Sequence, residues 1–225
     1  IALKEQKPSL EVYGVETQLV PSMQRALDLG APCVLPAQRS IADGINTRGV
    51  CERTLDIARK YVDAVVSVDE AEIAAAVLRL LEEEKIVAEG AGAVPLAGLL
   101  SGRLPLTGKR VALVISGGNI DVSLLSRIID RGLVKSGRSM RVFVQVPDLP
   151  GTLARLLATI AGTGANVVAV NHDRIGSRTE VGGVVVELTL ETRGFDHVTA
   201  VEAALRSAGW DPQPQAGTSQ RPPVR

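Results

Sequence analysis

The sequence predicts an α/β protein whose chain is divided into two parts of different construction. Up to about residue 134, short apolar strands alternate with helices, which is typical of a parallel sheet. From residue 139 onward, strands with a two-residue alternation follow the order β-α-β-β-α-β, which predicts a ferredoxin-like domain. A polar, glycine-punctuated stretch at residues 132–139 predicts a linker between the two parts.

Composition narrows the class of protein. The chain has 225 residues, of which 45% are hydrophobic, enough for one or two domains with real cores. Lys and Arg together number 25, as do Asp and Glu, so no net charge favours nucleic acid or an anionic membrane. Cys33 and Cys51 have no metal or redox spacing and are predicted to be free thiols. With no apolar run near the ~20 residues of a membrane span, we expect a soluble, cytoplasmic protein.

The first part is read element by element from its apolar spacing. Residues 1–7 look like the last turns of a helix stopped by Pro8, so the chain is expected to be the downstream part of something longer. A long helix capped by Asp69 carries an apolar face, and small residues at 89–93 precede another helix. The remaining predicted elements are strands at 10–16 and 61–68 and helices at 22–29, 54–60 and 120–131.

The apolar run at residues 111–115 is the central feature of the first part. It predicts a strand buried on both faces of a parallel sheet. Ser116 then stands at the carboxyl end of that strand, where open α/β sheets place their ligands. Gly117 and Gly118 would let a ligand approach the backbone closely. The alternative is an ordinary strand-to-helix turn, and two glycines alone favour that alternative.

The second part is predicted from its alternating valines. Val142, Val144 and Val146 mark one face of a first strand, and a helix follows. Pro212 and Pro214 are compatible with a last strand only if that strand lies at an edge of the sheet. The other predicted elements are strands at 166–171 and 184–190 and a helix at 200–208, with a domain over 139–215 and a disordered tail over 216–225.

Four short stretches occur together in a specific order: VYGVE at 12–16, IADG at 41–44, EGAGA at 89–93 and SGGNID at 116–121. In order and approximate spacing they resemble the threonine ammonia-lyases, pyridoxal-phosphate enzymes of fold type II related to serine racemase. The following β-α-β-β-α-β unit, with DLPG at 148–151, resembles the ACT regulatory domain of the single-ACT form of that family. The resemblance extends to about Trp210, and it implies a partial catalytic core over residues 1–134.

The resemblance implies roles for four residues at the cofactor. Ser116 would hydrogen-bond the pyridine nitrogen of pyridoxal phosphate, and Glu89 would lie near the ring. Gly44 would line the pocket with its backbone, and Gly117 would lie beside Ser116 in the same pocket. The alternatives are that Glu89 only caps the next helix and that Gly44 only serves a turn.

Two parts of the family's site are not matched in this sequence. The family's Schiff-base lysine lies in a Ser-x-Lys-x-Arg setting, and a glycine-rich loop takes the cofactor's phosphate. The lysines of this chain lie in no such setting, and no run of three or four glycines occurs. The chain is therefore expected to supply one wall of the site, without nucleophile or phosphate loop, and to be inactive alone.

The resemblance also implies a divalent-cation site. Relatives form it from a carboxylate matching Glu16, a backbone carbonyl matching Val20 and a second carboxylate, which is replaced here by Ser22. Hard cations prefer charged oxygen ligands, so the replacement weakens the case for a cation. A plain loop carboxylate is the favoured interpretation of Glu16.

In ACT-like domains an amino acid binds between the loop after the first strand and the strand edge of a neighbouring domain. That loop contains Asp148, Leu149 and Gly151, and Asn166 is the expected partner on the strand edge. The alternative is that the loop only starts a helix and that Asn166 only satisfies a turn. His172 is interpreted as a residue at the end of a hairpin, outside any site.

Together, these features predict the C-terminal part of a threonine or serine ammonia-lyase that yields 2-oxobutanoate and ammonia from threonine. An amino acid would regulate it, in isoleucine biosynthesis or threonine catabolism. The assembly is expected to be a homo-oligomer, a dimer or tetramer, with small amino acids as substrate and effector. The alternative is a non-catalytic, amino-acid-sensing fragment that functions through its ACT-like domain.

Overall fold

The computed structural model describes residues 1–173 and 183–214, and the chain divides into two compact units. The first unit spans Ile1–Ile128 and the second Ile129–Arg225. The domain limits predicted from the sequence, 1–134 and 139–215, stay predictions. The predicted tail, residues 216–225, lies outside the described residues.

The first unit combines helices with a small parallel sheet. Its strands are β1 (Tyr13–Thr17) and β2 (Ala64–Val68), which pair in parallel with Tyr13 opposite Ala64. A parallel pair needs a crossover connection, and the helices Ser22–Leu29 (α2) and Glu52–Tyr61 (α3) supply it here. The helices are α1 (Ala2–Gln6), α2 (Ser22–Leu29), α3 (Glu52–Tyr61), α4 (Glu70–Arg79), α5 (Gly90–Leu100) and α6 (Val122–Lys135), which runs on into the second unit.

Helices α4 and α5 pack together over the apolar core of the first unit. Helix α5 buries the small residues Gly90, Gly92, Ala93, Ala97 and Gly98, and α4 buries Ala76 beside Ile73 and Val77, so the two helices can approach closely. A single π-helical turn, Leu80–Glu84, prolongs α4. The fully or almost fully buried members of this core are Ala42, Val68, Ile73, Ala76, Val77, Leu80, Ala88, Ala93, Val94, Ala97 and Ile128.

Two helix ends predicted from the sequence are confirmed in detail. Helix α2 has the predicted bounds and ends at Gly30, whose φ of 70° is the left-handed conformation that glycine adopts without strain. Asp69 caps α4: its carboxylate accepts the N–H of Glu72 at 2.8 Å, and the Glu72 carboxylate accepts the N–H of Asp69 at 2.7 Å. This reciprocal capping box satisfies two of the helix's free N–H groups.

The strand predicted at residues 111–115 is wrong. Residues 109–121 carry no regular secondary structure, and Val114 is 76% exposed. A strand exists through its ladder to a neighbour, and no described residue pairs with this stretch. Ser116 therefore does not end a sheet strand.

The linker predicted at residues 132–139 is wrong at both ends. Helix α6 continues as far as Lys135, and the next strand already begins at Ser139. Gly132 is tolerated inside the helix at a modest cost in stability relative to alanine. The glycine that breaks the chain is Gly137, with a φ of 69°.

The second unit has the β-α-β-β-α-β order predicted from the sequence. The elements are β3 (Ser139–Pro147), α7 (Thr152–Gly162), β4 (Asn166–Asp173), β5 (Gly183–Glu191), α8 (Phe195–Ser207) and β6 (Pro212–Pro214). The strands form an antiparallel sheet in the order β4-β5-β3-β6, so β4 and β6 lie at its edges. Pro212 and Pro214 lie on β6, the edge position that prolines require.

One face of this sheet carries the core of the second unit. Every second residue of β3 and β5 is buried there against α7 and α8, as the alternation of valines predicts. The buried apolar residues are Met140, Val142, Val144, Val146, Leu156, Ile160, Ala165, Val184, Val186, Leu188, Leu190, Val198, Val201 and Leu205. Across the part of the chain that the structure describes, no helix combines the length and apolarity needed to cross a membrane.

Removing the Asp69 cap should weaken α4 locally. We expect Asp69→Ala to lower the free energy of opening of α4 by about 1 kcal/mol, because the N–H of Glu72 loses its acceptor. Amide hydrogen exchange along α4 measures this. Asp69→Ser is the matched control, since a serine hydroxyl can accept the same hydrogen bond. Equal protection in the wild-type chain and Asp69→Ala would contradict this role of the cap.

Candidate functional site

Three separate stretches of the first unit meet at the carboxylate of Glu89. Glu89 immediately precedes α5, and its N–H donates to the carbonyl oxygen of Gly117 at 3.2 Å. Its Oε2 accepts the N–H of Asn119 at 3.2 Å. A Cβ placed on Gly117 would lie 2.2 Å from Oε1, and one placed on Gly44 would lie 3.4 Å from the same atom. The structure thus brings together Gly44, Glu89, Ser116 and Gly117, the four residues predicted for the cofactor.

Glycines in the first turn of α5 set how closely these stretches approach. A Cβ on Gly92 would lie 1.6 Å from the carbonyl oxygen of Ser116. A Cβ on Gly90 would lie 2.1 Å from the carbonyl oxygen of Ile41. Side chains at these two positions would force backbone apart on both sides of the helix. Glycine at positions 90 and 92 of the EGAGA stretch is therefore required for two loops to pack closely against the beginning of α5.

Gly117 has a second reason to be glycine. Its φ is 75°, a left-handed conformation that side chains with a Cβ rarely adopt. The turn it makes directs the chain past the Glu89 carboxylate. Ser116, immediately before this turn, is exposed, so its hydroxyl is accessible to a bound group and can donate or accept a hydrogen bond.

A partly buried polar network, not predicted from the sequence, holds the loop that carries Gly44. Glu70 accepts hydrogen bonds from the hydroxyl of Ser40 at 2.7 Å, the N–H of Ile41 at 2.7 Å and the hydroxyl of Thr17 at 3.1 Å. Thr17 is completely buried at the end of β1. The only signal in the sequence was the position of Glu70 at the start of a helix, which is also an ordinary place for a glutamate.

The Glu16 carboxylate caps a helix in this structure. Its two oxygens accept the N–H groups of Met23 and Gln24, each at 2.9 Å, in the first turn of α2. Ser22 is buried, and its hydroxyl oxygen has no partner among the described residues. One carboxylate already engaged by two N–H groups, together with a neutral hydroxyl, does not fit the charged oxygen set that a hard cation prefers. No described cluster of three His, Cys, Asp or Glu side chains could hold a metal ion.

The second unit contains a cavity of about 340 Å³ where β3 ends and α7 begins. Its lining includes Asp148, Leu149 and Gly151, three of the residues predicted for the effector. Gly151 has a φ of 85° and directly precedes α7. His172, interpreted from the sequence as lying outside any site, also lines this cavity.

Asn166 is not brought to this cavity. It begins β4 at the opposite end of the strand from His172, and its side-chain amide donates to Glu191 at 3.2 Å. An effector contact from Asn166, which the resemblance places on a neighbouring domain, stays a prediction.

The comparisons with known proteins bear on both units. Residues 1–117 match the family described as pyridoxal-phosphate dependent enzyme. The chain belongs to this family. L-threonine ammonia-lyase of Thermotoga maritima is 44% identical over 211 residues, covering 94% of this chain and 52% of the relative. The L-threonine ammonia-lyase of Geobacter sulfurreducens is 44% identical over 210 residues, covering 93% of this chain and 52% of that protein.

The solved structures that resemble this chain agree with this assignment. A threonine deaminase from T.th. superposes with a TM-score of 0.50 at 37% identity, covering 53% of this chain and 44% of that protein. The expected resemblance to the threonine ammonia-lyases is thus confirmed, and pyridoxal phosphate is the cofactor of the family. The chain spans about half the length of the curated relatives it matches.

A substitution at Gly92 tests the packing at the centre of the site. Gly92→Ala should lower the free energy of unfolding of the first unit by roughly 1–3 kcal/mol and shift the amide resonances of Ser116 and Gly117, because its Cβ meets backbone. Amide hydrogen exchange and NMR spectra measure the two effects.

The control is Gly162→Ala in α7, where a Cβ meets nothing within 4 Å. It should leave stability unchanged or raise it by up to about 1 kcal/mol, because alanine restricts the unfolded chain. If Gly92→Ala changed neither the free energy of unfolding nor the amide resonances of Ser116 and Gly117, α5 and Ser116 would not be in close contact.

Proposed function

We propose that this chain is the C-terminal part of a threonine ammonia-lyase, which converts L-threonine to 2-oxobutanoate and ammonia. The observation that carries the proposal is the 44% identity to L-threonine ammonia-lyases over 94% of the chain, since such an alignment includes both units. The family's own match ends at residue 117 and by itself supports only pyridoxal-phosphate chemistry.

The chain's own residues would form the wall of the site at the nitrogen edge of the cofactor ring. Bound pyridoxal phosphate supplies a ring that withdraws electrons from the α-carbon of an amino acid. The Ser116 hydroxyl would hold the ring nitrogen with a neutral hydrogen bond. Such a partner does not keep the nitrogen protonated, as a carboxylate would, and this weaker electron withdrawal suits loss of a β-hydroxyl group.

Glu89 and the two glycines would position that wall. The Glu89 carboxylate accepts the N–H of Asn119, and its backbone N–H donates to Gly117, so it fixes the turn that follows Ser116. Gly44 lies on the other side of the same carboxylate and would line the pocket with backbone. The lysine that bonds the cofactor and the loop that takes its phosphate would come from outside this chain, since no lysine here has the family's setting.

We further propose that the second unit is an ACT-like regulatory domain. The cavity at the start of α7 has the loop DLPG on one side and helix N–H groups that can meet a carboxylate. A small apolar amino acid is the proposed effector, isoleucine or valine by resemblance. Because such ligands bind between two domains, the protein is proposed to form a homo-oligomer, a dimer or tetramer.

A chimera tests the catalytic proposal. The 225 residues of this chain would follow the N-terminal half of the Thermotoga maritima enzyme in place of its matching residues. We expect the chimera to release 2-oxobutanoate from threonine and the chain alone to release none, because it has no lysine in the required setting. The same chimera built on the Geobacter sulfurreducens enzyme guards against a junction that does not fold.

Variants at Ser116 test which residue holds the ring. Ser116→Ala in the chimera should weaken binding of pyridoxal phosphate about tenfold and lower turnover, because a buried ring nitrogen loses its partner. Ser101→Ala, at a serine that directly follows α5, is the matched control and should change neither cofactor binding nor turnover. Folded chimeras that bind the cofactor without deaminating threonine would overturn the catalytic proposal.

Calorimetric titration of the 225-residue chain with each of the twenty amino acids tests the regulatory proposal. We expect binding of a small apolar amino acid and a rise in sedimenting mass on binding, since a ligand between two domains favours their association. Binding without catalysis in either chimera would favour the amino-acid-sensing alternative. A chain that binds none of the twenty would refute regulation through this cavity.

A further inference from the structure

The pairing of β4 with β5 fixes the direction of the His172 side chain. His172 lies opposite Val186, and Val186 is completely buried on the face covered by α7 and α8. Directly paired residues of an antiparallel ladder point to the same face, so His172 points toward the helices as well. Asn171 points to the other face, where its amide donates to Glu187 at 3.4 Å.

The imidazole of His172 carries an unused hydrogen-bonding group. Its Nε2 is buried, and it has no hydrogen-bond partner among the described residues. Buried polar atoms without partners are uncommon in folded proteins, and each one calls for an explanation. His172 also lines the cavity of about 340 Å³, so a group bound there is the candidate partner for this nitrogen.

The first turn of α7 presents a complementary set of groups to the same cavity. Thr152 donates its N–H to Leu149 at 3.2 Å, and Arg155 donates its N–H to Gly151 at 3.1 Å. For the N–H groups of Leu153 and Ala154 the described residues supply no acceptor. Free N–H groups and the helix dipole at this end favour a carboxylate.

We propose that His172 binds the effector, with Nε2–H donating to a ligand carboxylate that the first-turn N–H groups of α7 also hold. This inference rests on the proposed regulatory function and names the contact that orients the amino acid. The carboxylate lies toward the helix and the imidazole. A wall of Val146 and Leu153 leaves an apolar side of the cavity for the ligand's side chain.

The chain contains its own internal control for this contact. It has two histidines, and the second, His197, has both ring nitrogens engaged. Its Nδ1 accepts the N–H of Arg193 at 3.1 Å, so its Nε2–H donates to the carbonyl oxygen of Thr163 at 2.9 Å. Spectra that correlate ring protons with ring nitrogens therefore show one imidazole with a free nitrogen and one without.

The spectroscopic test adds L-valine and L-isoleucine to the 225-residue chain. We expect the Nε2 resonance of His172 to shift on binding while both resonances of His197 stay in place. The corresponding amines, isobutylamine and 2-methylbutylamine, lack the carboxylate and should leave His172 unshifted. An equal shift with the amines would overturn the assignment of the carboxylate to His172.

Variants complete the test through affinity. His172→Ala should weaken binding of the same amino acids at least tenfold, and His172→Gln, whose amide can replace Nε2–H, should recover most of the loss. Asn171→Ala, one residue away on the opposite face, should stay within twofold of the wild type. Wild-type affinity in a folded His172→Ala chain would overturn this inference and leave the regulatory proposal standing. Failure of the wild-type chain to bind either amino acid would overturn both.

Discussion

The first unit depends on the close contact between the beginning of α5 and two loops. Gly90 and Gly92 leave no space for a Cβ beside Ile41 and Ser116, so helix and loops meet backbone to backbone. The contact places Glu89, which directly precedes α5, between Gly44 and Gly117. A site made of residues more than seventy positions apart in the chain is therefore held by one helix end. Packing of this kind tolerates no added methyl group.

Three carboxylates help to position two loops and one helix end of the first unit. Glu16 holds the first turn of α2, Glu70 holds the loop before Gly44, and Glu89 holds the turn after Ser116. Each accepts at least one backbone N–H, a charge-assisted bond that is stronger than a bond between neutral groups. In the loop around Gly44, these directed polar contacts act together with the burial of Ala42 and the packing of Ile41 and Ile45 against the core.

The second unit is organised by the pairing of its strands. Because buried and exposed residues alternate along β3 and β5, one face of the sheet packs against α7 and α8. The pairing register then determines which residues lie together at each end of the sheet. Register brings His172 and the DLPG loop to the same end of the sheet and puts Asn166 at the other. Asp148, Leu149 and Gly151 lie in the predicted loop, whereas the position of His172 beside that loop follows only from strand pairing.

Local patterns in the sequence determined the helices, the caps at Gly30 and Asp69, the alternation of the second unit and the family, because these depend on residues near one another in the chain. The resemblance to the family also predicted Ser116, Glu89, Gly44 and Gly117 as one site, although it did not say how they meet. Tertiary structure alone decided that residues 111–115 stay unpaired, that Glu70 anchors a distant loop and that His172 faces a cavity. Each of these depends on residues far away in the sequence. Residues 111–115 would need a strand to pair with, Glu70 needs the donors of a distant loop, and the direction of His172 is set by pairing with β5. The composition of a single segment carries no information about such neighbours.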